Sequence, residues 1–169
     1  MRFRTSCYMA ISLAVLAIVC AAPSAAQTKE QPIVKSESTG QFGGLPVLPS
    51  CATFTVERGN PTTGPSVLLI RAKSGCIVPW HWHTASEELM LVSGTAKIEM
   101  IGMSAQTVNK GGYIFLPAKH HHQFTCQSDC LMFNSIAGAF DIHYLDKSGK
   151  EIPVAQALSA VKETPGSQK

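Results

Sequence analysis

From residue 53 onward the chain is a series of short apolar–polar runs punctuated by turn residues. Residues 53–57 read Thr-Phe-Thr-Val-Glu, the strict alternation of a half-buried strand. Residues 58–65 are rich in Gly, Pro, Asn and Thr, which is turn chemistry, and 67–72 form the next apolar run. Similar runs at 95–100, 106–108, 113–116, 121–125, 131–136 and 140–144 predict further strands. No helical pattern of useful length precedes residue 150. Many short strands with frequent turns predict an all-β sandwich or barrel. Residues 154–162 place apolar side chains at helical spacing behind Pro153, which suits the first turn of a short helix, and 164–169 read as a tail.

The N-terminal segment has a different pattern. Arg2 and Arg4 precede an apolar run at 11–20, which is too short to span a bilayer comfortably, and small residues follow at 22–26. This is the layout of a secretory signal, residues 1–26, with cleavage expected after Ala26. Cys20 invites a lipoprotein reading, but Ala17 and Val19 do not suit a lipobox. Export would place the protein in the periplasm or outside the cell. Without Arg2 and Arg4, 12 basic residues face 11 acidic ones, so the mature chain is nearly neutral. No basic run suggests a nucleic-acid partner, and nothing suggests a membrane partner after cleavage. The remaining 143 residues suffice for one domain. Residues 27–44 are polar and glycine-containing, and read as an arm ahead of a domain at 45–148, with 149–169 as helix and tail.

The candidate chemistry is concentrated between Gly75 and Gly94. His81 and His83 are two apart, so on a strand both imidazoles project to one face. Glu87 follows four residues later, within reach around a turn. Two imidazoles and a carboxylate form a partial shell for a divalent ion of borderline or hard character. The alternative is a surface His-Trp-His patch, but the flanking residues read as two short strands about a turn. Glu87 shares parity with Leu89 and Leu91, which would line the interior, while Glu88 would face out.

A second stretch adds a ligand: Gly111-Gly112-Tyr-Ile-Phe-Leu-Pro117-Ala-Lys119-His-His-His122. Together the two stretches resemble the paired motifs of the cupin superfamily. Gly75, His81, His83, Glu87 and Gly94 fit the first motif without a gap. Gly111, Pro117 and His122 fit the second, with Lys119 where a glycine is usual and Cys126 where an asparagine is usual. The resemblance covers roughly residues 45–144, and it is closest to small single-domain bacterial cupins. It implies a double-stranded β-helix, or jelly-roll barrel, with one divalent transition metal ion (Fe, Mn, Zn, Cu or Ni) on His81, His83, Glu87 and His122. It further implies a pocket for a small organic molecule, either in a metalloenzyme of oxygenase type or in a non-catalytic binding module. A homodimer is also an expectation of the resemblance. No catalytic residue beyond the ligands is assigned.

Phe124 shares parity with His122 and joins Leu89 and Leu91 as an expected pocket wall. Trp80 and Trp82 should point away from the metal. His120, His121 and His143 are read as turn or structural histidines. Four cysteines remain after signal removal, and an even number in an exported protein favours disulfides. Cys126 and Cys130 resemble the stems of a three-residue hairpin, which would leave Cys51 with Cys76. The other role open to Cys126 is a thiolate ligand.

Overall fold

The computed structural model describes residues 31–162. The expected signal at 1–26 and the tail at 164–169 lie outside the described residues. Among the described residues, ten strands form two antiparallel sheets of five. The first sheet holds β1 (Ala52–Gly59), β2 (Ser66–Ala72), β4 (Glu87–Ser93), β7 (Tyr113–Leu116) and β9 (Cys130–Ile136), in the order β1-β2-β9-β4-β7. The second holds β3 (Ile77–Trp82), β5 (Thr95–Met100), β6 (Gln106–Asn109), β8 (His122–Cys126) and β10 (His143–Tyr144), in the order β10-β3-β8-β5-β6.

This corrects the jelly-roll barrel expected from the sequence. Closure would require a ladder from one sheet to the other, and among the described residues no strand pair joins them. Three of the four edge strands explain this: β6 and β7 have four residues each and β10 has two. Edges this short offer few backbone groups for closure. The run expected at 140–144 is strand only at its end, because its first backbone groups are engaged elsewhere. Phe140 N–H donates to the Pro61 carbonyl at 2.7 Å, and the Asp141 carbonyl faces His83.

The two sheets share one apolar core. Inward-facing residues from the first sheet include Leu89, Leu91, Leu116 and Met132; from the second come Ala96, Ile98, Phe124 and Cys126. On β4 the alternation leaves Glu87, Leu89 and Leu91 buried and Glu88 exposed. Side chains such as Ile98 and Leu116, 1 % exposed, each contribute roughly 1.5–3 kcal/mol by leaving water. Helix α1 (Val154–Lys162) follows Pro153, buries Ala157 and contacts β3 and β10. Upstream of β1, Gly43 bridges to Phe54, and Lys35 Nζ donates to the carbonyls of Val56 and Glu57.

One irregularity decides where the histidines point. On β3, Val78 pairs with Phe124, but His81 pairs with His122. Three steps on β3 thus match two on β8, so β3 carries one extra residue, a β-bulge. Pro79 sits in this bulge, where its missing N–H costs no ladder bond. The bulge reverses parity, so Val78 and His81 can both face the interior.

The cysteines are only partly as expected. Cys51 and Cys76 form a disulfide. Cys126 and Cys130 are free and buried, which corrects the expected second bridge. They are not hairpin stems: β8 and β9 lie in different sheets, with Cys126 opposite Ala96 and Cys130 opposite Ala72. The intervening turn is tied to Thr95, whose carbonyl accepts from Gln127 N–H at 2.8 Å. Contact with Cys130, and then burial, push the Cys126 thiol far up from its ordinary value, so it stays protonated.

Candidate metal centre

Three strands and the loop after one of them bring the four candidate ligands together. His81 lies on β3 just past the bulge, and His83 follows the end of that strand. Glu87 and His122 are the first residues of β4 and β8. All four are nearly sequestered from solvent, none more than 6 % exposed. Ligand atoms of His81, His83 and His122 lie within 4.8 Å of one another. The His81 ring centroid is 4.7 Å from that of His83 and 4.1 Å from that of His122. Glu87 joins them: its Oε2 is 3.1 Å from His83 Nε2.

Each imidazole is oriented by the same device. His81 Nδ1–H donates to the Pro79 carbonyl at 2.6 Å, His122 Nδ1–H to the His120 carbonyl at 2.9 Å, and His83 Nδ1–H to the Asp141 carbonyl. A nitrogen occupied as a donor fixes the tautomer and leaves Nε2 with a free lone pair. Burial, then the neighbouring His122 and His83, hold His81 well below its usual pKa. Burial similarly lowers His122 to about 4. Both are therefore neutral near pH 7, as metal ligation requires. The loop carrying His83 is held twice more. Lys119 N–H donates to the His83 carbonyl at 2.8 Å, and Thr84 N–H to the Asp141 carboxylate at 2.8 Å.

A divalent ion fits this donor set. Three imidazoles and a carboxylate converge, all nitrogen and oxygen donors without a thiolate. The approach of His83 Nε2 to Glu87 Oε2 is what a cation or shared proton between two acceptors produces. Cys126 takes no part: it lies four residues along β8 from His122, roughly 13 Å at strand rise.

The site is the polar floor of an apolar cavity of about 80 Å³. Leu89 and Phe124 line it as expected, whereas Leu91 does not and belongs to the core beyond. Phe54, Leu68, Phe140 and Ile142 add walls that the sequence did not reveal. Asn134 was also missed. Its Nδ2 donates to Glu87 Oε1 at 2.9 Å, and it is 4 % exposed. The signal for it was a polar residue at an inward position of a strand whose inward neighbours are Met132 and Ile136. His120 contributes its carbonyl, not its ring. Trp82 points away, stacked on His143 at 3.8 Å, with Asp141 and Glu151 flanking that histidine.

Two antiparallel sheets carry a buried three-histidine cluster that could hold a divalent ion. Residues 68–134 match the Cupin_2 family model, described as a cupin domain. No match was found among curated proteins. Among solved structures, the chain is similar to a protein from Methylibium petroleiphilum provisionally assigned as an acetylacetone dioxygenase. That likeness has 15 % identity, TM-score 0.57, and covers 75 % of this chain and 90 % of the other. It is also similar to the DMSP lyase DddQ from Ruegeria pomeroyi, with 13 % identity, TM-score 0.55, and 72 % and 75 % coverage. KdgF from Halomonas sp. gives 13 % identity, TM-score 0.54, and 63 % and 94 % coverage. At these identities the likeness speaks for the fold.

Proposed function

We propose that this protein is an exported, metal-dependent enzyme of oxygenase type that acts on a small organic molecule. The observation that carries the reading is the convergence of three oriented imidazoles and Glu87 at the floor of an apolar cavity. A bound divalent ion would supply positive charge that polarises a substrate oxygen and, if redox-active, a path for electrons to dioxygen. The protein's own residues do the rest. The backbone carbonyls of Pro79, His120 and Asp141 hold the rings, so no reorganisation is needed when substrate binds. Asn134 holds Glu87. The apolar walls exclude water and strengthen every electrostatic contact within. Proteins of this fold carry both a dioxygenase and a lyase assignment by name, so the fold accommodates either chemistry. Export is supported by the Cys51–Cys76 disulfide, which suits an oxidising compartment.

The test is oxygen uptake. Mature protein loaded separately with iron, manganese, copper or nickel is offered enolic, phenolic and thiol substrates. Substrate-dependent uptake that His122→Ala abolishes supports the oxygenase. Tight ligand binding without product under every metal replaces it with a binding module. N-terminal sequencing of protein from the producing cell should begin at Gln27; a chain starting at Met1 refutes export by this route.

A further inference from the structure

The amide of Asn134 is unequally satisfied. Its Nδ2 donates to Glu87 Oε1, while its Oδ1 is buried and has no partner. The assignment of the two ends follows from Glu87: reversing the amide would set two acceptors against each other. The unpartnered atom is therefore an acceptor on a side chain that lines the cavity. Asn134 pairs across the sheet with Leu68 and Leu89, which line the cavity too. Nearly all buried polar groups in folded proteins find partners, so an orphan beside a candidate reaction site calls for one from the ligand.

The rest of the lining says what else that ligand is. Among the described residues, the only polar side chains in it are His81, His83, His122, Glu87 and Asn134, and no lysine or arginine is among them. A substrate carrying a carboxylate or phosphate away from the donor set would lose its hydration and meet only Leu, Ile, Val, Ala and Phe.

We infer that the substrate is an uncharged, mostly apolar molecule bearing a hydroxyl or N–H donor beside its metal-binding atom, and that Asn134 Oδ1 accepts from that donor. Asn134 is thus a specificity residue as well as the support for Glu87. The inference deepens the proposed function and rests on its metal site. An ordered water could also satisfy Oδ1, but water alone gives no preference between ligands with and without the donor.

The experiment uses mature protein loaded with Co(II), whose visible spectrum reports ligand binding. The probes are catechol, 2-fluorophenol, which lacks the second hydroxyl, and 3,4-dihydroxybenzoate, which adds a remote carboxylate. Catechol should bind about tenfold more tightly than either. In Asn134→Leu, close in shape but without the amide, the preference over 2-fluorophenol should fall to about threefold or less. Equal affinity for catechol and 2-fluorophenol in the wild type overturns the inference. A preference that survives in Asn134→Leu assigns it to chelation and overturns it as well. Binding of 3,4-dihydroxybenzoate as tight as catechol overturns the uncharged class. Should Asn134→Leu fail to fold, Asn134→Ala takes its place. Wild-type protein that binds no Co(II) refutes the metal centre itself, a result separate from Co(II) bound without ligand preference.

Discussion

Strand β8 carries buried polar groups at both ends, His122 at its start and Cys126 at its end, with Phe124 between them. The two ends share burial, strand and facing, yet differ in what their polar atoms do. At the cysteine end the groups satisfy one another. Cys126 lies against Cys130, whose Sγ–H reaches the Ser128 carbonyl at 3.3 Å, and Cys51 is bonded to Cys76. At the histidine end each ring spends one nitrogen on a backbone carbonyl and turns the other towards its neighbours in the cluster. Buried polarity alone does not distinguish a site from a staple. What distinguishes it is lone pairs left over and pointed at one place.

The comparison breaks most easily through metal content. His122→Ala should lower bound metal by roughly 100-fold or more, since changes merely to the groups supporting a ligand cost 10–100-fold. Cys126→Ala should change it by less than about twofold. Elemental analysis of the two purified variants decides; equal loss from both would put the sulfur end in the site. A finer version uses neighbouring residues on β4. Glu87→Gln should weaken metal binding about 10-fold or more, because the buried carboxylate becomes a neutral amide. Exposed Glu88 points away, and Glu88→Gln should leave affinity unchanged in metal titration.

The sulfur end should answer in stability instead. Cys51→Ala removes a bridge closing a span of 25 residues, which is worth about 3.5 kcal/mol by the loop-entropy argument. The folded fraction should still bind metal with wild-type affinity. Denaturant unfolding with and without metal checks both halves, and a variant of unchanged stability would refute the staple.

What the sequence disclosed follows the same division. The strands at 95–100 and 113–116 and the helix at 154–162 were readable at their observed bounds, because local alternation and turn residues specify them. The grouping of His81, His83 and His122 was readable because motif spacing encodes it. The absence of sheet closure was not readable, since it depends on which edges find partners. The state of Cys126 and Cys130 was hidden for a related reason: four residues of spacing look like a hairpin until the strands go to different sheets. Asn134 escaped because its role comes from a neighbour on the adjacent strand, 47 positions earlier.

The smallest expected effect tests the one departure from the cupin motif that the sequence resembles which bears on the histidine end. Lys119 adopts φ 61°, the only described non-glycine residue with positive φ. Its backbone has a job there, since its N–H holds the His83 carbonyl at 2.8 Å. A lysine in this region costs about 1–2 kcal/mol through the approach of Cβ to the following carbonyl. Lys119→Gly removes that strain but adds freedom to the unfolded chain, worth roughly 0.5–1 kcal/mol in the opposite direction. The difference leaves the variant more stable by about 0.5 kcal/mol, with the hydrogen bond to His83 and the metal affinity unchanged. Denaturant midpoints read the first and metal titration the second. A glycine variant that loses metal would show that the lysine side chain, whose Nζ lies 5.9 Å from the Trp82 ring centroid, helps fix the His83 loop.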